Sequence, residues 1–223
     1  MRIQFSNSPL GMAQRILEYA TLSCVTSTGQ TRLYLIRHGE TPRRGFCNGH
    51  LDEPLTAAGI TEIEAVAQRL AGVEFAALYA SDLGRAIQSA DILGRVLNIR
   101  PIISPPLREK CFGGWEGLPQ AEIQRRFPGE WEEWIVNPAD AKPTGGETCR
   151  EMAVRVLPVI EQIIKRHLGE QVAIVAHGGV NRVILCHALG LDLRYMERIA
   201  QRHAALNIIE FVDEAATVQL MNG

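Results

Sequence analysis

Hydrophobic and polar positions along the chain separate into short unbroken apolar runs and longer stretches with helical spacing. Leu33-Tyr34-Leu35-Ile36 and Val172-Ala173-Ile174-Val175-Ala176 are runs of the first kind, each bounded by polar residues, as expected of strands buried on both faces of a parallel sheet. Ala76 to Ala80 predicts another strand, and Ile99 to Ile103 a further one that Pro101 assigns to a sheet edge and Pro105-Pro106 ends. Leu206 to Val212 and Thr217 to Met221 predict a closing antiparallel pair. Between these runs, Thr56 caps a helix with Ile63, Val66, Ala67 and Leu70 on one face and Gly72 as its stop. Ser81 or Asp82 is placed to cap a helix reaching about Leu97. A long helix buries Met152, Val156, Ile160 and Ile163, with Pro158 predicting a kink, and Val180 to Leu189 and Leu193 to Ala200 are also expected to be helical. Strands alternating with helices predict an α/β fold, a three-layer α/β/α sandwich with a mostly parallel central sheet. We expect one domain over residues 31–223, preceded by an extension, residues 1–30, of unknown role in which Met12 to Leu22 carries a helical pattern.

Composition narrows the class. A chain of 223 residues with 46% hydrophobic content can bury an ordinary single core. Twenty-three Lys and Arg against 25 Asp and Glu give a net charge of -2, so no global attraction to nucleic acid or an anionic membrane is expected, and anion binding must be local. Five cysteines, an odd number without C-x-x-C spacing, argue against a disulfide framework or a zinc site and favour a cytoplasmic location. No membrane helix or export signal is expected either.

The two strongest strands end alike. Leu33 to Ile36 runs into Arg37-His38-Gly39-Glu40-Thr41, and Val172 to Ala176 runs into His177-Gly178-Gly179. Ligands of open α/β sheets bind outside the carboxyl ends of strands, so two strand-end histidines predict a paired site there. Glycine at 39 lets the backbone bend tightly and approach a ligand. Arg85 falls in the first turn of the helix after Ala80, beside backbone N–H groups that favour an anion. Phosphomonoester hydrolysis needs a nucleophile, cationic donors for the phosphoryl oxygens and an acid for the leaving group. A neutral imidazole can attack phosphorus, Arg37 and Arg85 can clamp the phosphoryl oxygens through paired hydrogen bonds, and His177 can bind them from the other side. Glu109 or Glu116, in the loop Leu107 to Gly117 with Phe112 and Trp115, can supply the proton, and spacing does not rank them. Two arginines beside two histidines disfavour a metal, so no cofactor is expected.

Arg37-His38-Gly39-Glu40-Thr41, Ser81-Asp82-Leu83-Gly84-Arg85-Ala86, Leu107-Arg108-Glu109, Gly145-Gly146-Glu147-Thr148 and His177-Gly178-Gly179 together resemble the histidine phosphatase (phosphoglycerate mutase-like) superfamily, from about Arg32 to the C-terminus. The resemblance implies that His38 is the phosphorylated nucleophile, that Arg37, Arg85 and His177 form the phosphate pocket, and that Glu109 is the proton donor. It brings Thr41 and Gly178 into the substrate-binding set. Gly49 to Thr56 and the strand Leu206-Asn207-Ile208-Ile209 are most similar to α-ribazole phosphatases of cobalamin biosynthesis, which implies α-ribazole 5'-phosphate as preferred substrate. One departure stands out: where family members commonly carry an asparagine, this chain has Arg44, and either Arg44 or Asn48 is expected to meet the substrate instead. Rival readings are a cofactor-dependent phosphoglycerate mutase, a broad-specificity sugar or metabolite phosphatase and a non-catalytic phospholigand-binding module. The expected partner is a small-molecule phosphomonoester, with a homo-oligomer left open.

Other polar residues receive plainer expectations. His50 is read as a solvent-facing loop residue, and His167, His187 and His203 as surface or capping groups. Glu116 is expected to be a loop-surface carboxylate. Trp115, Trp131 and Trp134 are expected to fill or cover the core, and Cys47 and Cys111 to be ordinary thiols.

Overall fold

The structure, a computed structural model, describes residues 29–213 and 215–223, so the helical pattern of Met12 to Leu22 lies outside the described residues. Six strands, β1 (Thr31–Arg37), β2 (Ala77–Ala80), β3 (Pro101–Ile103), β4 (Gln171–Ala176), β5 (Leu206–Val212) and β6 (Ala215–Leu220), form one sheet in the order β3-β2-β4-β1-β5-β6. β3 is an edge strand, as Pro101 requires. β1, β2, β3 and β4 pair in parallel, whereas β5 is antiparallel to both β1 and β6, so β5 alone opposes the others.

Helices cover both faces, which is why the central strands are written as unbroken apolar runs. Leu33, Leu35, Val172, Ile174 and Ala176 pack with Met152, Val156, Ile160 and Ile163 of α5 (Cys149–Arg166) and Val180, Val183 and Ile184 of α6 (Gly178–Leu189). The alternate residues Tyr34, Ile36, Ala173 and Val175 pack with Ile63, Val66 and Leu70 of α1 (Ala57–Leu70) and Ala86, Ala90 and Leu93 of α2 (Gly84–Leu97). This is the expected α/β sandwich with a mostly parallel sheet. α5 begins with a capping box: Thr148 Oγ1 accepts from Glu151 N–H, and Glu151 accepts from Thr148 N–H in return. The helix continues through Pro158 to Arg166.

Two local expectations change. Leu193–Arg198 is a 3-10 helix; residues 120–136, for which no element is expected, form two short helices, α3 (Gln120–Arg126) and α4 (Pro128–Val136). The N-cap of α2 is Leu83, and neither Ser81 nor Asp82 caps it. Asp52, from the loop after β1, accepts from Gly84 N–H at 2.9 Å, while Asp82 is taken by Arg108.

Candidate active site

Parallel register brings the two histidines together. Arg37 pairs with Ala176 at the ends of neighbouring β1 and β4, so the next residue on each strand is a histidine. His38 N–H donates to Ala176 O at 3.0 Å and Ala204 N–H to His38 O at 3.1 Å, which fixes the backbone from both sides. The two imidazole centroids lie 5.1 Å apart. Gly39 serves packing: a Cβ there would fall 2.3 Å from Gly59 O, so the glycine admits the first turn of α1 against the loop rather than admitting a ligand.

The ring nitrogens are tethered in opposite senses. His38 Nδ1 lies 2.8 Å from Gly39 O, an acceptor only, so Nδ1 carries the proton. Nε2 is then a lone pair, and Arg85 Nε donates to it at 3.3 Å. His177 is reversed: its Nε2 lies 2.8 Å from Ser81 Oγ, and its buried Nδ1 has no partner. Ser81 Oγ already accepts Leu83 N–H, so the arrangement that uses the hydroxyl proton has Ser81 donating to Nε2. His177 then presents Nδ1–H as a free donor. Both imidazoles are held well below their ordinary pKa, first by burial and then by neighbouring cations, so both are neutral near pH 7.

The cations are held from behind. Arg85, second residue of α2 and 2% exposed, donates Nη1–H to Leu51 O at 2.8 Å and Nη2–H to Gly49 O at 2.6 Å. Arg37 donates Nη1–H to Gln201 O at 2.6 Å, and its Nε is buried without a partner. Burial draws the Arg37 pKa down to about 10, which leaves it charged at neutral pH. Gln201 is itself fixed by Asn207 and Asn181 in a buried amide cluster. Glu109 accepts Lys110 N–H at 2.8 Å on one oxygen and Gly179 N–H at 3.0 Å on the other. A Cβ on Gly179 would stand 2.4 Å from that carboxylate and would push it from its present position.

These groups open onto one cavity of ≈ 340 Å³, at the small end for a ligand site, lined by Arg37, His38, Thr41, Arg44, Asn48, Arg85, Glu109 and Gly178 among others. His177 is not among the lining residues; it is fully buried beside His38. Arg44 stands at the mouth, largely exposed and paired with Glu40 at 3.1 Å. Asn48 donates to Arg43 O, and its Oδ1 is buried and unpartnered, so its spare group is an acceptor suited to a hydroxyl rather than a phosphoryl oxygen.

Three plainer expectations are corrected. Glu116 is a half-buried structural carboxylate: it accepts N–H groups from His50, Leu51 and Phe112, binding the loop after β1 to the loop after β3 and so holding the carbonyls that carry Arg85. His50 is likewise tied down, its Nε2 lying 2.9 Å from Glu109 O. His203 lies on a turn, lines the cavity and stands 5.7 Å from the His38 ring, with burial drawing its pKa to about 4. His167 is mostly buried beneath Tyr79 at the end of α5. Trp115 is core, as expected, but Trp134 reaches the cavity. Cys47 also lines it, and burial lifts its thiol to about 11, out of range for a nucleophile at neutral pH. Ser81, Gln201, His203 and Lys110 were not legible as site residues; only the histidine type of His203 offered a signal.

No helix among the described residues is long and apolar enough to cross a membrane. The sequence matches the Histidine phosphatase superfamily (branch 1) over residues 33–223. It is 35% identical over 159 residues to the metal-independent phosphoserine phosphatase of Arabidopsis thaliana, covering 69% of this chain and 67% of that one. It is 28% identical over 193 residues to the adenosylcobalamin/alpha-ribazole phosphatase of Escherichia coli, covering 86% of this chain and 95% of that one. The native structure of mycobacterial glucosyl-3-phosphoglycerate phosphatase superposes with a TM-score of 0.80 at 26% identity, covering 87% of this chain and 99% of that one. With paired strand-end histidines in a mixed α/β sheet and a match that spans nearly all described residues, the chain belongs to the histidine phosphatase superfamily.

Proposed function

We propose that this protein is a phosphomonoesterase that works through a phosphohistidine on His38. The opposed tethering of the two imidazoles is the observation that carries this reading. His38 offers a neutral Nε2 lone pair, and attack on phosphorus forms the N–P bond as the bond to the leaving oxygen breaks. Arg37, Arg85 and the Nδ1–H of His177 donate to the phosphoryl oxygens. Glu109 passes a proton to the leaving oxygen as that bond breaks; it then takes one from a water whose oxygen attacks phosphorus, breaking the N–P bond and returning the lone pair to His38 Nε2.

The acid's role depends on the leaving group, and that gives the test. An alkoxide leaves poorly without a proton, whereas p-nitrophenolate needs little help. Glu109→Gln is expected to lower phosphorylation by an alkyl phosphate by roughly 10²- to 10⁴-fold and by p-nitrophenyl phosphate far less, read as burst rates. Equal losses would make Glu109 a binding group.

Two substrate readings remain, each with its own support. Resemblance in the Gly49 to Thr56 segment favours α-ribazole 5'-phosphate, for whose base Trp134 and Phe112 supply aromatic faces in the cavity wall. A buried lysine in the same wall favours a smaller phosphomonoester with a further negative charge.

A further inference from the structure

Lys110 is left unused by the chemistry at His38, although it lines the same cavity. Its side chain is only 2% exposed, and among the described residues no carboxylate comes within 4 Å of its ammonium. The nearby acids are engaged elsewhere: Glu109 by two backbone N–H groups, Glu147 by Arg155 and by Cys111 N–H. An ammonium has three protons to place. Lys110 Nζ has Ala141 O at 3.3 Å and the weak acceptor Cys149 Sγ at 3.8 Å, and its charge rests 4.1 Å from the centroid of Trp134. A π-face attracts the cation without neutralising it.

Two further features set the ammonium against its surroundings. Cys149 is the first residue of α5, so Lys110 lies beside the positive end of an 18-residue helix, where a cation is disfavoured. Burial also pulls its pKa below the ordinary lysine value. A desolvated cation is normally paired with an anion, and this one stands at a cavity wall with only a carbonyl, a thiol and an aromatic face around it.

We infer that Lys110 is a specificity-determining residue that receives a carboxylate of the substrate while the phosphoryl group sits against His38. One ammonium matches one negative charge; a second phosphoryl dianion would call for a pair of cations, such as the two arginines that flank His38. The neighbouring Phe112, Trp134, Met152 and Met196 keep water away and so strengthen the pair. Phosphorylated hydroxy or amino acids fit this description. The neutral ribose and base of α-ribazole 5'-phosphate do not. The inference rests on the phosphatase reading and deepens it.

The test uses the full chain and two substrate pairs that differ in one carboxylate: O-phosphoserine against O-phosphoethanolamine, and 3-phosphoglycerate against glycerol 3-phosphate. The wild type is expected to favour the carboxylate member of at least one pair by roughly 10- to 100-fold in kcat/KM, and Lys110→Met to collapse that ratio toward one. A ratio near one for both pairs in the wild type overturns the inference, as does a ratio that survives in Lys110→Met. Should Lys110→Met fail to fold, Lys110→Gln carries the same comparison. A protein that turns over p-nitrophenyl phosphate but treats both pairs alike keeps the phosphatase reading and loses this one. Without any turnover the phosphatase reading falls, and calorimetry with the same pairs decides for Lys110: tighter binding of a carboxylate member, lost in the variant, supports it, and equal affinities overturn it.

Discussion

The ends of β1 and β4 are nearly the same in sequence, an apolar strand followed by His-Gly, yet their imidazoles are held by opposite nitrogens. His38 spends Nδ1–H on the carbonyl of its own neighbour and turns a lone pair toward Arg85, whereas His177 spends Nε2 on Ser81 and leaves Nδ1 free. A strand-end histidine alone therefore does not fix its own tautomer; the partner of the far nitrogen does. In the proposed reaction the first ring is the nucleophile and the second a donor. Each partner is local to its own strand end in a different way: Gly39 is the next residue, but Ser81 comes from the end of β2, which lies beside β4 and away from β1.

The largest expected effect of breaking this arrangement is at Arg85, whose Nε–H faces the His38 lone pair while its other nitrogens hold loop carbonyls. Arg85→Lys keeps the charge but loses the fork, and it should lower kcat/KM for p-nitrophenyl phosphate by roughly 10²- to 10³-fold, as loss of an oxyanion donor does. A rate near that of the wild type would remove Arg85 from the phosphoryl site. Ser81→Ala sharpens the comparison, because it frees His177 to adopt either tautomer without touching His38. We expect a loss of about fivefold, on the scale of one hydrogen bond of roughly 1 kcal/mol, with the phosphohistidine still formed. Loss of the intermediate itself would assign Ser81 a more direct part.

The smallest effect is on stability. His203, His38 and His177 are all held neutral by the folded state, with His203 at about 4. Below the ordinary imidazole value of about 6.5 the unfolded chain binds protons that the folded chain refuses, so stability falls as pH falls. For His203 the loss spans the window from about 6.5 down to about 4. Tm measured between pH 7 and pH 5 should therefore decline, and His203→Gln should decline less steeply. An identical slope in the variant would mean that His203 is as solvated folded as unfolded.

Much of the fold was written in the chain because strands buried on both faces leave unbroken apolar runs, and β1 and β4 are buried nearly throughout. The paired histidines were legible for the same reason: each ends such a run. Their adjacency followed only from topology, since β4 enters the sheet between β1 and β2 after a long excursion through α3, α4 and α5. Ser81 and Asp82 stand where an N-cap is expected, but both side chains are claimed by distant partners, His177 and Arg108, and Asp52 accepts the Gly84 N–H at the start of the helix. Glu116 looked like a surface acid in a glycine-rich loop. Three backbone N–H groups converging from two loops make it internal, and no pattern within either loop announces that. Lys110, Gln201 and His203 sit in irregular segments without periodicity, where burial is set by packing across the molecule rather than by sequence neighbours.

The opposed tethering of the two imidazoles is tested most directly by the position of the phosphoryl group on the enzyme. Rapid mixing with substrate, an alkaline quench that preserves phosphohistidine, and phosphorus NMR of the denatured chain distinguish the two ring nitrogens. Comparison of the wild type with His38→Ala and His177→Ala assigns the residue. The account predicts phosphorylation at Nε2 of His38, label retained in His177→Ala at a slower rate, and none in His38→Ala. Label on His177, label at Nδ1 of His38, or turnover without any phosphohistidine would contradict it.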